Sequence, residues 1–278
     1  MTSNKTSPDE ATEVRIISSL RFDPDLPSAV AQYPSQGYPE PHDSPYYLLR
    51  YHRERLLKAA VEFRWPDAIE FLQKDLAHFT QALDSFIPDR TKAWRLRLVI
   101  NHQGRLCVDV HPAAIWPLQC MFIPASFGTH ISLSQTFPWR LVVDTERTKP
   151  SLLTAHKTTS RDHYNAARER VGISSPADPV EVLLVNTQGE AMEGSITTVY
   201  FQERSSSDYG NKSNAQWITP PLSSGGMISA SRSYALDQGF CTEQVIRVGE
   251  LVHGEQCFLS NAVRGFIPAI VNLDVIKS

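Results

Sequence analysis

Leu153-Thr154-Ala155-His156-Lys157-Thr158-Thr159-Ser160-Arg161 is followed along the chain by Met192-Glu193-Gly194-Ser195-Ile196-Thr197-Thr198, and this pair of segments decides how the sequence is read. Taken singly, a lysine at a strand end or a glutamate in a turn is an ordinary solvated residue. Three further segments turn the pair into a series. Trp217-Ile218-Thr219-Pro220-Pro221-Leu222 reads as a strand stopped by prolines, Ser229-Ala230-Ser231-Arg232 as a turn opening a helix, and Ser260-Asn261-Ala262-Val263-Arg264-Gly265 as a turn after a strand.

Around this series the C-terminal half alternates short strands with helices. The strands are expected at Leu141–Val143, Val180–Asn186, Ile196–Gln202, Gln216–Thr219, Thr242–Val248, Gln256–Ser260 and Phe266–Val271, and helices at Arg161–Val171 and Ser229–Gln238. Upstream, Pro124–Pro138 carries few charges and reads as a linker. The N-terminal half opens on a β-branched strand, Val14–Phe22, ended by Asp23-Pro24-Asp25. Pro27–Pro45, rich in Pro, Ser, Gln, Gly and Tyr, is long for a structureless connection and reads as a surface insertion. Leu49, Leu56, Ala60 and Phe63 share one face of a helix over Tyr46–Phe63. Ile69, Leu72, Leu76 and Phe79 line a stripe on a second helix, Asp67–Leu83, opened by Pro66. Trp94–Asn101 and Arg105–Val110 flank Gln103-Gly104 as a hairpin. The expected class is α/β of the α+β kind: a small N-terminal α+β domain over 1–128 and a larger, barrel-like C-terminal domain over 129–278.

At 278 residues the chain is near the size at which a single core stops growing, which favours two halves. With 41% hydrophobic and 21% charged residues, it lies close to the globular average, which excludes a disordered, collagenous or coiled-coil chain. Its 27 basic and 30 acidic residues leave a net charge of −3, so no basic field is present to hold nucleic acid or acidic lipid. The tryptophans are expected as core anchors, not base-stacking platforms. Cys107, Cys120, Cys241 and Cys257 show no Cys-x-x-Cys pair, which suits a reduced, intracellular protein. No secretory leader and no run of 18 apolar residues is found. The expected location is therefore cytoplasmic, without membrane partners and with the first dozen residues mobile.

Self-announcing motifs are missing: there is no Gly-x-Gly-x-x-Gly, Walker loop, His-Glu-x-x-His or Gly-x-Ser-x-Gly. His156 and His163 have no third ligand near them in sequence, so no metal site is expected. His52, beside Arg53 and Arg55, is expected to pack or hydrogen-bond. Arg168-Glu169-Arg170 is expected to form a solvated helix face, and Arg232 to be structural.

The series as a whole resembles the pyridoxal phosphate enzymes of fold type IV, the class containing branched-chain and D-amino acid aminotransferases and aminodeoxychorismate lyase. The resemblance runs from about Val14 to Val271. It implies that Lys157 is the lysine forming an imine with the cofactor aldehyde and that Glu193 faces the pyridine nitrogen. His52-Arg53-Glu54-Arg55-Leu56 looks like the family's His-x-x-Arg-Leu element, which places Arg55 at the cofactor phosphate. Ala230, Ser231, Asn261 and Ala262 match the two turns closing around that phosphate. Lys157-x-x-x-Arg161 and Asn261-Ala262-Val263-Arg264-Gly265 resemble the aminodeoxychorismate lyases in particular, and Thr198 the fungal forms. The implied activity is conversion of 4-amino-4-deoxychorismate to 4-aminobenzoate and pyruvate, in a homodimer. A class IV aminotransferase and a non-catalytic scaffold of the same fold stand as alternatives. Arg21, Arg161 and Arg264 are candidates for binding the anionic small-molecule substrate, and Ser18 or Ser19 for a hydroxyl near the cofactor. Relatives carry glycine where Ser229 stands and threonine where Ser231 stands, and a glycine there would suit a positive φ.

The residue types fit this chemistry. A lysine amine forms an imine and, once displaced, remains as an acid/base beside the reacting carbons. A carboxylate against the ring nitrogen keeps it protonated. A phosphate suits a helix N-terminus, whose first N–H groups lack partners, together with a forked guanidinium.

Overall fold

The computed structural model describes residues 13–33, 37–134, 137–203 and 217–274. The expected mobility of the first dozen residues concerns a segment outside them.

β1 (Ile16–Phe22) pairs antiparallel with β2 (Trp94–Ile100), which pairs antiparallel with β3 (Leu106–Pro112). Alternation along β1 and β2 sends Ile16, Leu20, Leu96 and Leu98 to one face, where Leu49, Leu56, Ala59 and Ala60 of α2 (Leu49–Glu62) cover them. α2 begins after Leu48, whose left-handed φ of 56° breaks the helix expected from Tyr46. The second expected helix is two: α3 (Pro66–Gln73) and α4 (Leu76–Asp84). Lys74 is extended (φ −57°, ψ 162°), and the Asp75 carboxylate caps α4 by accepting from His78 N at 2.7 Å. Ile69, Leu72, Leu76 and Phe79 all still reach the same core.

Pro27–Pro45 is not a structureless surface insertion. α1 (Leu26–Gln32), with proline in its first turn, buries Leu26, Ala29 and Val30, and the Tyr38 hydroxyl accepts from Leu48 N. Residues 34–36 lie outside the described residues. The Pro124–Pro138 linker holds α5 (Phe127–Ser134). This helix is tied to the second sheet through His130 Nε2 and the Phe266 carbonyl at 2.9 Å.

The second sheet has eight strands: β4 (Trp139–Thr148), β5 (Val180–Asn186), β6 (Ala191–Gly194), β7 (Thr198–Gln202), β8 (Trp217–Thr219), β9 (Cys241–Glu243), β10 (Gln256–Asn261) and β11 (Gly265–Asn272). They are ordered β6-β5-β4-β11-β10-β7-β8-β9, parallel at β5–β4, β4–β11 and β8–β9 and antiparallel elsewhere. The strand expected over Thr242–Val248 is only partly a neighbour of β8. Its second part crosses to the opposite edge, where Ala191 N donates to Ile246 O (2.8 Å) and Val248 N to Gly189 O (3.0 Å). The two edges thereby meet, and the sheet is curled into a half-barrel. The expected strand Ile196–Gln202 begins only at Thr198, and Gln216 lies outside the described residues. Three helices besides α5 attend this sheet: α6 (Leu152–Ala155), α7 (Asp162–Arg170) and α8 (Ala230–Asp237).

Tyr47, Tyr51 and Phe122 from the N-terminal half share one apolar cluster with Tyr200, Tyr234 and Phe258 from the C-terminal half. The small sheet is tied to the C-terminal half through β1, where Ile17 N donates to Lys157 O and Arg21 N to Ala262 O. Among the described residues no helix is long and apolar enough to cross a membrane.

Candidate active site

Lys157 follows α6, whose start is fixed by a reciprocal Ser151–Thr154 capping box. The next residues run antiparallel to the start of β1: Ile17 N donates to Lys157 O and Thr159 N to Arg15 O, both at 2.9 Å. The lysine therefore stands where the two sheets meet, and its side chain lines a cleft between them. Burial holds the Lys157 amine well below the usual lysine range, and the Arg161 and Arg55 guanidinium groups add to this. The shift is toward the neutral amine, the form that a nucleophile or base requires.

Glu193, at the end of β6, faces the same cleft and is buried. Its Oε1 accepts from the Tyr164 hydroxyl and, at 3.2 Å, from Met227 N. Burial raises this carboxyl to about 7, against the opposing pull of Tyr164 and Arg161. The Met227 contact depends on Gly225-Gly226 just before it. Gly225 has a φ of +103°, and a Cβ on Gly226 would lie 2.8 Å from Met192 O, so only glycines let this segment lie on β6.

Arg55 arrives from α2. Its Nη2 donates to Ser18 Oγ (2.7 Å) and Ile17 O (3.1 Å), while Ser18 Oγ also lies 2.6 Å from His52 Nδ1. Ser18 and His52 thus position the guanidinium, and Ser19, the next residue of β1, lines the cleft. Burial, with Arg161 nearby, lowers Arg55 to about 10, so it stays cationic at neutral pH. Its Nε is buried with no hydrogen-bond partner.

Opposite stands the N-terminus of α8. Ser229 caps it, accepting from Arg232 N at 3.1 Å. Its φ of −110° suits any residue, so serine takes the place of glycine without strain. A chain of hydroxyls runs behind this turn: Thr198 Oγ1 to Ser229 Oγ (2.9 Å), Ser229 to Ser231 (3.2 Å), Ser260 to Ser231 (2.8 Å) and Tyr200 to Ser260 (2.8 Å). The second turn is shaped by Asn261, whose Oδ1 accepts from Val263 N (3.0 Å) and Arg264 N (2.9 Å). Gly265 closes it with φ +68°, where a Cβ would lie 2.1 Å from Cys120 O.

Lys157, Arg55, Glu193, Ala230, Asn261, Ala262 and Arg264 all line this one cleft, with Ser231 packed behind its wall. Two expected substrate residues do not. Arg21 is nearly buried in an ion pair with Asp23 (2.7 Å) and donates to Ala114 O (3.0 Å), which occupies its guanidinium. Arg161 lies over the Tyr164 ring (4.0 Å) and donates to Ser195 O (2.7 Å), though its charge still acts on Lys157 and Arg55. Nor is Arg168-Glu169-Arg170 simply solvated: Arg170 holds buried Asp144 at 2.6 and 2.8 Å, and Arg168 reaches Ser195 Oγ. Arg232 is structural, donating to Pro220 O and Glu243.

Sequence reading missed Tyr164, Arg95 and Glu181. Glu181 is fully buried, and its two oxygens accept from Ser195 and Ile196 N–H groups and from the Ser195 and Thr197 hydroxyls, which folds the turn beyond Glu193. A lone carboxylate inside the apolar run Val180–Val185 was the available signal.

The cleft fits pyridoxal phosphate on its own chemistry. Arg55 Nε, buried and unpartnered, shares the cleft with the α8 N-terminus, a combination suited to a phosphate. Lys157 offers an amine of lowered proton affinity, and Glu193 a carboxyl that a pyridinium would keep ionised.

Known proteins agree with this architecture. Over 215 residues the chain is 28% identical to an aminodeoxychorismate lyase of Saccharomyces cerevisiae, a match covering 70% of this chain and 56% of that protein. The chain thus spans about half the length of that curated relative. In three dimensions it is similar to 4-amino-4-deoxychorismate lyase from Pseudomonas aeruginosa (TM-score 0.63, 16% identity, 98% of this chain and 89% of that one). It is also similar to the branched-chain amino acid aminotransferase from Escherichia coli (TM-score 0.60, 14% identity, 97% and 81%). At such identities these likenesses show the fold, that of fold type IV enzymes. A sequence profile of the family described as Amino-transferase class IV matches residues 42–270, most of the chain, which therefore belongs to the class IV aminotransferase family.

Proposed function

We propose that this protein is a pyridoxal phosphate-dependent aminodeoxychorismate lyase, converting 4-amino-4-deoxychorismate to 4-aminobenzoate and pyruvate. The observation that carries the reading is the pairing of Lys157 and Glu193 in one cleft, an amine of lowered proton affinity together with a buried carboxyl. Similarity to the yeast lyase supports the lyase reaction over transamination.

Bound in this cleft, pyridoxal phosphate supplies an electron sink for the carbon next to the substrate nitrogen. Glu193, held by Tyr164 and Met227 N, would keep the proton on the pyridine nitrogen. Arg55, the α8 N-terminus and the turn at Asn261-Ala262 would hold the phosphate. Lys157 would hold the cofactor through its aldehyde. Its Nζ then takes the proton from the ring carbon bearing nitrogen. Cleavage of the ring carbon–oxygen bond makes the ring aromatic and releases enolpyruvate, which gains a proton on its methylene carbon to become pyruvate. Low proton affinity at Lys157 suits it to the first transfer. The family resemblance brings with it a homodimer, a cytoplasmic location and a division into domains near residue 128.

The test is to incubate cofactor-loaded protein with 4-amino-4-deoxychorismate, without any keto acid, and follow both products. Equal formation of 4-aminobenzoate and pyruvate is expected. Turnover only with an added keto acid would mean an aminotransferase, and no turnover of either kind would mean a scaffold.

A further inference from the structure

Five charged side chains line the cleft: Arg55, Lys157, Glu193, Arg95 and Arg264. The first three answer to the cofactor. Arg95 and Arg264 do not, and no carboxylate among the described residues is ion-paired with either. Arg95 lies on β2, on the face opposite Leu96 and Leu98. Its neighbour on that face, Arg97, is paired with Asp109 at 2.9 Å, whereas Arg95 has no such partner. Arg264 donates to Pro176 O at 2.9 Å and lies over the Trp139 ring at 5.5 Å, contacts that aim a guanidinium without neutralising it.

The backbone brings the two together from different sheets. Arg95 stands directly opposite Arg21 in the β1–β2 register, and Arg21 N donates to Ala262 O at 3.1 Å. The turn bearing Arg264 is thus held against the strand pair at the level of Arg95. The proton affinity of Arg264 is lowered by burial and then by Arg95, against the opposing pull of Glu181, whose oxygens are already taken by the Ser195–Thr197 turn; the two guanidinium groups stand close enough to feel each other.

We propose that Arg95 and Arg264 together bind the ring carboxylate of the substrate, the group para to the reacting amine, and so select for an anionic ring. This rests on the lyase reading for the identity of the substrate. A carboxylate has two oxygens for two forked donors, and with its amine at Lys157 the para position is the rigid point of the ring furthest from the chemistry. Arg95 is then the specificity-determining residue that the small sheet contributes.

The test uses holoenzyme and two ligands of one shape, 4-aminobenzoate and the uncharged 4-aminobenzamide, titrated calorimetrically. The wild-type protein should prefer the carboxylate by about tenfold or more, as expected for charge-assisted bonds. Arg95→Gln and Arg264→Gln should each reduce that preference to about threefold or less, with Arg95→Lys between. In turnover the loss should fall on KM, about tenfold, more than on kcat, while the visible absorbance of the lysine-bound cofactor persists. An unchanged carboxylate preference in both Gln variants, or loss of the cofactor from them, would overturn the proposal. If Arg95→Gln fails to fold, Arg264→Gln and Arg95→Lys carry the same comparison. Absence of lyase turnover in the wild-type protein would defeat the functional reading alone, since the two-ligand comparison needs no turnover.

Discussion

At the inner wall of the cleft, charged side chains answer to buried partners: Glu193 to Tyr164 and Met227 N, Arg55 to Ser18, and the turn beyond them to Glu181. Arg95 and Arg264, on the same cleft, form no ion pair with a carboxylate among the described residues. Groups locked by several partners cost the protein their desolvation once, on folding, and then hold geometry for a ligand that stays. Cations left unpaired keep their binding capacity for a ligand that comes and goes. The contrast separates the part of the cleft suited to a resident cofactor from the part suited to a passing substrate.

Substitutions on the inner wall should therefore damage chemistry or cofactor retention, not substrate affinity. Lys157→Ala should have the largest effect, reducing pyruvate release by about 10⁴-fold or more and removing the absorbance of the lysine-bound cofactor. A Lys157→Ala protein that kept substantial turnover would break the comparison at its centre. Glu193→Gln should lower kcat by about a hundredfold while cofactor content, measured after alkaline release, stays near stoichiometric. A loss confined to KM would place Glu193 with the rim. Arg55→Gln should weaken cofactor affinity about tenfold in reconstitution titrations, with kcat largely recovered at saturating cofactor.

The smallest effect concerns pH. In the cofactor-free protein Glu193 titrates at about 7, above its ordinary value of 4.5, so the folded state binds this proton more tightly than the unfolded one. Its contribution to stability is full below about pH 4.5 and is lost as pH rises through 7, by up to roughly 3 kcal/mol. Thermal unfolding of cofactor-free Glu193→Gln should vary less with pH across that window than the wild-type protein. Equal pH dependence in both would show that burial does not raise this carboxyl.

Much of the fold was legible locally. β5 coincides with the apolar run Val180–Asn186, and α7 and α8 fall within a residue of their expected ends, because each carries a strong period and a clear boundary signal. Less was legible where short-range signals compete. The apolar stripe from Ile69 to Phe79 is continuous, yet Asp75 draws the His78 N–H into a cap and splits the helix. Pro27–Pro45 has a loop-like composition, yet α1 buries Leu26 and Val30 against aromatic residues from distant segments. Among site residues, the order of Lys157, Glu193, Ser229 and Asn261 could be read along the chain. Arg95 could not, since an arginine alternating with leucines on a strand looks like any solvent-facing charge.

The sequence by itself determined which residue types are on hand and in what order: an amine, a carboxylate, a capped helix start and two tight turns. These are local properties, set by side-chain chemistry and by backbone preferences over a few residues. Only the tertiary structure decided which of them meet. Arg21 and Arg95 stand opposite each other in neighbouring strands, yet one is consumed by Asp23 and the other faces the cleft without a carboxylate partner. That choice depends on which groups packing brings within hydrogen-bond reach, and no spacing along the chain encodes it.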